Sequence, residues 1–210
     1  MKLILARHGN TFESDETPTW VGSKNDLPLT KAGIEQAKIL ALFLKKSNIK
    51  LDAIYCGPLQ RTLVYAQVIL SELASDLKPI IDLRLNEIDY GKWSGLSSTQ
   101  IKEQFGIEEF ERWEKSSIWP TTSNWGSTEA VIVNETRAFA NDLIQKYHNN
   151  ETILVISSNG RLRYFLKLIP NEFEMHIKNS NFKIATGKIC SLNYENNQWQ
   201  LVSWNFNPKI

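Results

Sequence analysis

Residues 2–11 read KLILARHGNT. Leu3 to Ala6 form an apolar run with the length of a buried strand, and Arg7, His8 and Gly9 follow it directly. Residues 153–166, ILVISSNGRLRYFL, repeat the plan with an apolar strand, a small polar turn and then a helix. A turn at the end of a strand is a common place to hold a side chain over a site. With the two strands side by side, the first turn offers Arg7 and His8, and the second offers Ser158 and Asn159.

Between these stretches strands and helices alternate. Residues 9–29 read as loop. From Thr30, whose hydroxyl is suited to capping, Ala32, Ile34, Ala37, Leu40 and Leu44 predict a helix. DAIYC (52–56) is a second strand, Gly57-Pro58 turns the chain, a helix spans about 59–75, and PIIDL (79–83) is a third strand. Residues 85–127 are polar and glycine-rich with four tryptophans, and short helices are expected at 98–105 and 107–115. A long helix over 128–148, capped by Ser127 or Thr128, precedes the strand at 152–157 and a helix over about 161–169. Strands near 182–186, 189–194 and 199–204 end the chain, the last ones pairing as a hairpin or edge. This alternation predicts an α/β fold around a mostly parallel sheet, whose sites lie beyond the carboxyl ends of the strands. No repeat or linker divides the chain, so residues 1–210 are read as one domain, with 88–127 as a lid or substrate region.

Composition narrows the functional classes. With 24 Lys+Arg against 23 Asp+Glu the net charge is +1, which disfavours a chain-wide design for nucleic acid or an acidic membrane and leaves room for a local basic pocket. No stretch approaches the roughly 20 apolar residues that span a bilayer, and the opening run, interrupted by Arg7, is too short for a signal peptide. Cys56 and Cys190 make neither a disulfide framework nor a metal site. Read as reduced buried thiols, they suggest a cytoplasmic address. Oligomeric state leaves no mark on the sequence.

Arg7 and His8 carry the sharpest chemical signal. A guanidinium is a poor neighbour for a second cation, so it favours the neutral, nucleophilic imidazole. Its planar fork also holds two phosphate oxygens. A neutral imidazole beside an oxyanion clamp is what phosphoryl transfer to histidine needs. Arg61, at the start of the helix after the second strand, is a second candidate clamp. A leaving oxygen needs a proton donor, and LNEIDYGKWSG supplies Glu87 and Asp89 just past the third strand.

Four blocks in order, LILARHGNT, WVGSKNDLPLTKAGIEQA, IYCGPLQRT and LNEIDYGKWSGL, resemble the histidine phosphatase superfamily, which includes the cofactor-dependent phosphoglycerate mutases. GSTEA before the long helix is a weaker match to the family's glycine-glycine-glutamate-serine block. The resemblance implies a three-layer α/β/α sandwich and a phosphatase acting through a phosphohistidine on His8. It further implies that Arg7 and Arg61 bind the transferring phosphate, and that Glu87 is proton donor and then base for the attacking water. No metal or organic cofactor is implied, and the partner is a small phosphorylated substrate.

The fourth family block departs. Its strand normally ends in Ser/Thr-His-Gly, with an arginine five residues after the histidine; here the chain reads Ser157-Ser158-Asn159-Gly160-Arg161-Leu162-Arg163. Aligning on Arg163 puts Ser158 in the histidine's place, and aligning on Gly160 puts Asn159 there. The gap-free match favours Ser158, and both residues are candidate phosphate donors. His148, at a helix end, and His176, in a loop-like stretch, lack motif context as substitutes. Asn10 follows the first motif as another candidate phosphate ligand, Ser14 stands where mutases carry a phosphate-binding asparagine, and Gly57 where serine is common. The tryptophans between 93 and 125 either line a pocket over the phosphate or pack an irregular lid. Three readings follow: a phosphatase of reduced or specialised activity; a phosphate-binding relative that has lost catalysis; and, third, a phosphoglycerate mutase, against which LNEIDYGKWSGL resembles the hydrolytic branch.

Overall fold

The computed structural model describes residues 1–209. The opening run becomes β1 (Lys2–Arg7), followed by α1 (Lys31–Lys46), β2 (Ala53–Cys56), α2 (Gln60–Glu72) and a two-residue β3 (Ile80–Ile81). Then come α3 (Ser98–Phe105), α4 (Ile107–Ser116) and α5 (Glu129–Lys146). The chain ends with β4 (Thr152–Ser157), α6 (Asn159–Leu162), α7 (Glu172–Lys178), β5 (Ile189–Glu195) and β6 (Gln198–Phe206).

One six-stranded sheet runs β3-β2-β4-β1-β5-β6. β1 lies parallel to β4 with Arg7 opposite Ser157, so the two turns of the sequence leave the sheet side by side. The His8 amide donates to the Ser157 carbonyl at 3.1 Å and fastens them together. β2 is parallel to β4 and to β3, whereas β5 is antiparallel to β1 and to β6.

Both faces of the central strands are apolar because helices cover both. Ile4, Ala6, Ile54, Cys56, Leu154 and Ile156 pack with residues of α1 and α2. Their alternate neighbours Leu3, Leu5, Ala53, Tyr55, Ile153 and Val155 pack with Phe139 and Leu143 of α5 and with Leu162 and Phe165. The two-residue strand period thus writes a three-layer α/β/α arrangement into short continuous apolar runs.

The caps follow the sequence: Thr30 accepts from the Gly33 amide, and of the two candidates for α5 it is Thr128 that caps, accepting from Val131. The two short helices at 98–116 form as expected, the first with a full Ser97–Gln100 capping box. Asn196 and Asn197, both with positive φ, make the two-residue turn of the β5–β6 hairpin.

Four details differ from the sequence reading. The helix after β4 begins at Asn159 rather than 161 and continues from Arg163 to Leu168 as a 3-10 turn. The third strand keeps only Ile80 and Ile81 of PIIDL. Residues 182–186 are not a strand, because side chains take the segment's backbone groups. Arg7 donates to the Ile184 carbonyl, Asn159 Oδ1 accepts the Ile184 amide and Asn205 Oδ1 the Ala185 amide. His176 lies on α7 rather than in a loop, with Nδ1 2.9 Å from the Glu172 carbonyl.

Candidate active site

His8 stands at the carboxyl end of β1, almost fully buried. Gly9 lets the turn press against the start of α1, since a side chain there would collide with the Gly33 backbone. His8 Nδ1 is 2.8 Å from the Gly9 carbonyl oxygen. A carbonyl only accepts, so this contact puts the proton on Nδ1 and leaves the lone pair on Nε2. Burial first, then the charges of Arg7 and Arg61, hold the imidazole pKa well below its ordinary value, against a smaller opposing effect of the Gly9 carbonyl. The ring is therefore neutral near pH 7.

Arg7 anchors one guanidinium nitrogen on the Ile184 carbonyl at 2.7 Å, while its buried Nε has no partner among the described residues. Arg61, buried at the start of α2, donates to the carbonyls of Asn25 (2.9 Å) and Gly22 (2.8 Å). Two of its five N–H groups thus tie down the 9–29 loop and three remain. Glu87 is held by the Ile88 amide on Oε1 at 2.8 Å and the Gly160 amide on Oε2 at 3.3 Å. Arg7 and Arg61 both sense its charge. Asp89, the other carboxylate of the block, instead pairs with Lys24 at 2.8 Å.

The turn after β4 is arranged differently. Ser158 Oγ is buried and has no hydrogen-bond partner among the described residues. The Asn159 side chain accepts the Ile184 amide at 2.8 Å. A side chain at Gly160 would collide with both Glu87 Oε1 and the Tyr90 hydroxyl, so these two groups crowd over the bare backbone. Burial and the charge of Glu87 keep the Tyr90 phenol pKa well above its ordinary value, and the hydroxyl stays a donor. Arg163 is buried behind this turn, 4.5 Å from the Trp113 ring centre and 5.0 Å from that of Phe182.

These groups converge on one cleft of about 770 Å³. Of the residues singled out from sequence, Arg7, His8, Asn10, Arg61, Glu87 and Asn159 line it, and so does Ser14. Ser158 is not among the lining residues, and neither His148 nor His176 is. The Asn10 carboxamide oxygen accepts from the Thr186 hydroxyl, which steadies it at the rim. Sequence reasoning missed Tyr90, Glu114, Lys183 and Thr186, which also face the cleft. Tyr90 was signalled only by lying three residues after Glu87; Glu114 and Lys183 carry no local signal.

The tryptophans between 93 and 125 are absent from the lining residues. Trp93 and Trp113 are fully buried. Trp125 meets Trp93, Trp113 and Trp119 edge-on at 5.3, 4.6 and 4.9 Å, which makes a third core beside the cleft. Among the described residues no group of three or more His, Cys, Asp and Glu side chains is arranged to hold a metal, and no helix is long and apolar enough to cross a membrane.

Comparison with known proteins agrees with this geometry. The family profile of the histidine phosphatase superfamily (branch 1) matches residues 3–207. The chain is 34% identical over 166 residues to phosphoserine phosphatase 1 of Hydrogenobacter thermophilus, covering 78% of this chain and 73% of that one. It is 28% identical over 211 residues to the 2,3-bisphosphoglycerate-dependent phosphoglycerate mutase of Corynebacterium diphtheriae, covering 89% and 83%. A crystal structure of phosphoserine phosphatase from Entamoeba histolytica in complex with 3-phosphoglyceric acid superposes with a TM-score of 0.76 at 26% identity, covering 98% of this chain and 97% of that one.

Proposed function

The chain belongs to the histidine phosphatase superfamily, and from that premise we propose that it hydrolyses a small phosphomonoester through a phosphohistidine on His8. Phosphatase activity is supported by the phosphoserine phosphatases among its relatives. The observation that carries the mechanism is the His8 Nδ1 contact with the Gly9 carbonyl, which leaves Nε2 unprotonated in a cleft bounded by two arginines.

Nε2 attacks phosphorus while the bond to the leaving oxygen breaks, and Glu87 passes to that oxygen the proton that the bound phosphomonoester monoanion brings to its carboxylate. A water then attacks the phosphohistidine and Glu87 takes its proton; the P–N bond breaks, releasing phosphate and free imidazole. Arg7 and Arg61 balance the charge on the equatorial oxygens. Asn10 and Asn159 supply neutral donors at the edge, with Ser158 a donor from beneath. Residues 1–210 act as one domain, and residues 88–127 contribute Tyr90 and Glu114 to the leaving-group side of the cleft. The two buried free thiols, Cys56 and Cys190, support a cytoplasmic address.

The test is to quench turnover of a phosphorus-labelled substrate and look for base-stable, acid-labile label on the protein. Label on His8 is expected; hydrolysis with no labelled histidine would remove the mechanism. A second reading, a phosphate-binding relative without catalysis, is favoured by the absent second histidine and by Ser158 lying off the cleft wall. Losing one preorganised donor costs about 100–1,000-fold in rate, so slow turnover fits the first reading and none at all fits the second.

A further inference from the structure

Beyond the phosphate floor the cleft has its own charge pattern. Its wall carries Glu13 and Glu16 on the 9–29 loop, Glu114 on α4 and a single cation, Lys183. Lys183 Nζ and Glu114 Oε2 are 2.6 Å apart, with side chains 42% and 30% exposed. A pair this open adds little to stability, yet both backbones are set rigidly. Glu114 follows Trp113 and Lys183 follows Phe182, and the buried Arg163 guanidinium lies over both of these aromatic rings. Arg163 also donates to Ser117 Oγ at 2.8 Å, just past the end of α4. One buried cation thus fixes the spacing between the acidic and the basic group before any ligand arrives.

We propose that Glu114 and Lys183 select phosphomonoesters whose leaving group carries an ammonium, a specificity that rests on the phosphatase reading of the same cleft. The phosphoryl group meets Arg7 and Arg61 on the floor. A leaving group bearing only a further carboxylate meets a wall with three carboxylates and one lysine. A leaving group bearing an ammonium meets Glu114 with opposite charge. A zwitterionic one opens the existing pair and makes two, its ammonium on Glu114 and its carboxylate on Lys183. Like-charge contact on the wall is the repulsive element that discriminates.

The experiment compares kcat/KM for O-phosphoserine, phosphoethanolamine, 3-phosphoglycerate and p-nitrophenyl phosphate. Wild type is expected to favour the two amines over 3-phosphoglycerate by roughly tenfold or more. Glu114→Gln is expected to lower both amines relative to p-nitrophenyl phosphate, again by about tenfold and mainly through KM. Glu114→Lys is expected to move the preference toward 3-phosphoglycerate. A pair that only latches α4 to the 182–186 segment predicts a lower Tm in Glu114→Gln with all four substrates affected alike, and that result overturns the proposal. A wild-type preference for 3-phosphoglycerate overturns it as well. No turnover of any of the four breaks the phosphatase reading alone. The charge preference is then read from calorimetric affinities of the three compounds whose leaving group is charged, where equal values for wild type and Glu114→Gln overturn it.

Discussion

The two turns at the centre of the sheet leave neighbouring parallel strands in register, yet they carry opposite kinds of chemistry. After β1, Arg7 and His8 are charged or nucleophilic, the histidine buried and the arginine partly buried, and backbone carbonyls of Ile184 and Gly9 hold them. After β4, Ser158 and Asn159 are neutral; one hydroxyl is stranded and one carboxamide holds a loop amide. Backbone geometry makes the two positions equivalent, and side chains divide the labour. Glu87 and the Tyr90 hydroxyl crowd over Gly160, a further backbone position of the second turn. Charge on a bound phosphate then falls to Arg7 and Arg61, whose remaining N–H groups are the strongest donors near His8.

The largest effect that sharpens this contrast is His8→Ala. Removing a nucleophile that acts together with its clamp is expected to cost at least about 1,000-fold in turnover of p-nitrophenyl phosphate. Unchanged turnover would dissolve the distinction between the turns altogether. Next is the reciprocal graft. Ser158→His, restoring the family's residue on the gap-free alignment, is expected to raise kcat by roughly 10–100-fold, part of what one oxyanion donor supplies. Asn159→His, which also frees the Ile184 amide, is expected to lower it. The opposite pair of results would mean that Asn159 stands in the histidine's place.

Much of this site is legible in sequence because its residues sit beside strongly patterned elements. Arg7 and His8 follow an apolar run that admits one secondary structure, Thr30 announces α1, and Glu87 belongs to a dense block. What escapes reading is structure made by distant side chains. FKIAT (182–186) alternates like a strand, but its amides and carbonyls are spent on Asn159, Asn205 and Arg7. α7 is seven residues long and follows Asn171 in the left-handed region, so neither periodicity nor a cap marks it. The tryptophans carry composition without direction; only the packing of Trp93, Trp113 and Trp125 on one another shows that they form core. Glu114 and Lys183 meet through Arg163, a link between three segments that no local window contains.

Acid tests the β1 turn through stability. His8 is neutral when folded because burial, Arg7 and Arg61 disfavour its charge, whereas the unfolded imidazole titrates near its ordinary value of about 6.5. The unfolded chain therefore binds a proton that the folded one refuses. This contribution to stability is complete above about pH 6.5, and is lost at up to about 1.4 kcal/mol per pH unit as pH falls toward the folded pKa. Melting temperatures from pH 8 to 5 are expected to drop less steeply in His8→Gln than in wild type. Parallel curves would mean that His8 is as easily protonated as a surface histidine. The same neutrality predicts that the acid limb of kcat/KM lies below pH 6.5.

The smallest effect tests the β4 turn. A buried hydroxyl without a partner forfeits its hydration and costs roughly 1–3 kcal/mol, so Ser158→Ala is expected to stabilise the fold by about 1 kcal/mol, raising Tm by about 2–4 °C in a chain of this size. Stability alone does not settle what the hydroxyl is for, so phosphate affinity is measured beside it. A raised Tm with unchanged affinity means that the position is vacated, and that the second turn serves the anion only through Asn159. A raised Tm with affinity weakened about fivefold or more, the size of one neutral hydrogen bond, means that Ser158 turns to the ligand once it binds. Its unmet hydroxyl in the free protein is then a donor held in reserve, and the two turns differ in strength rather than in kind.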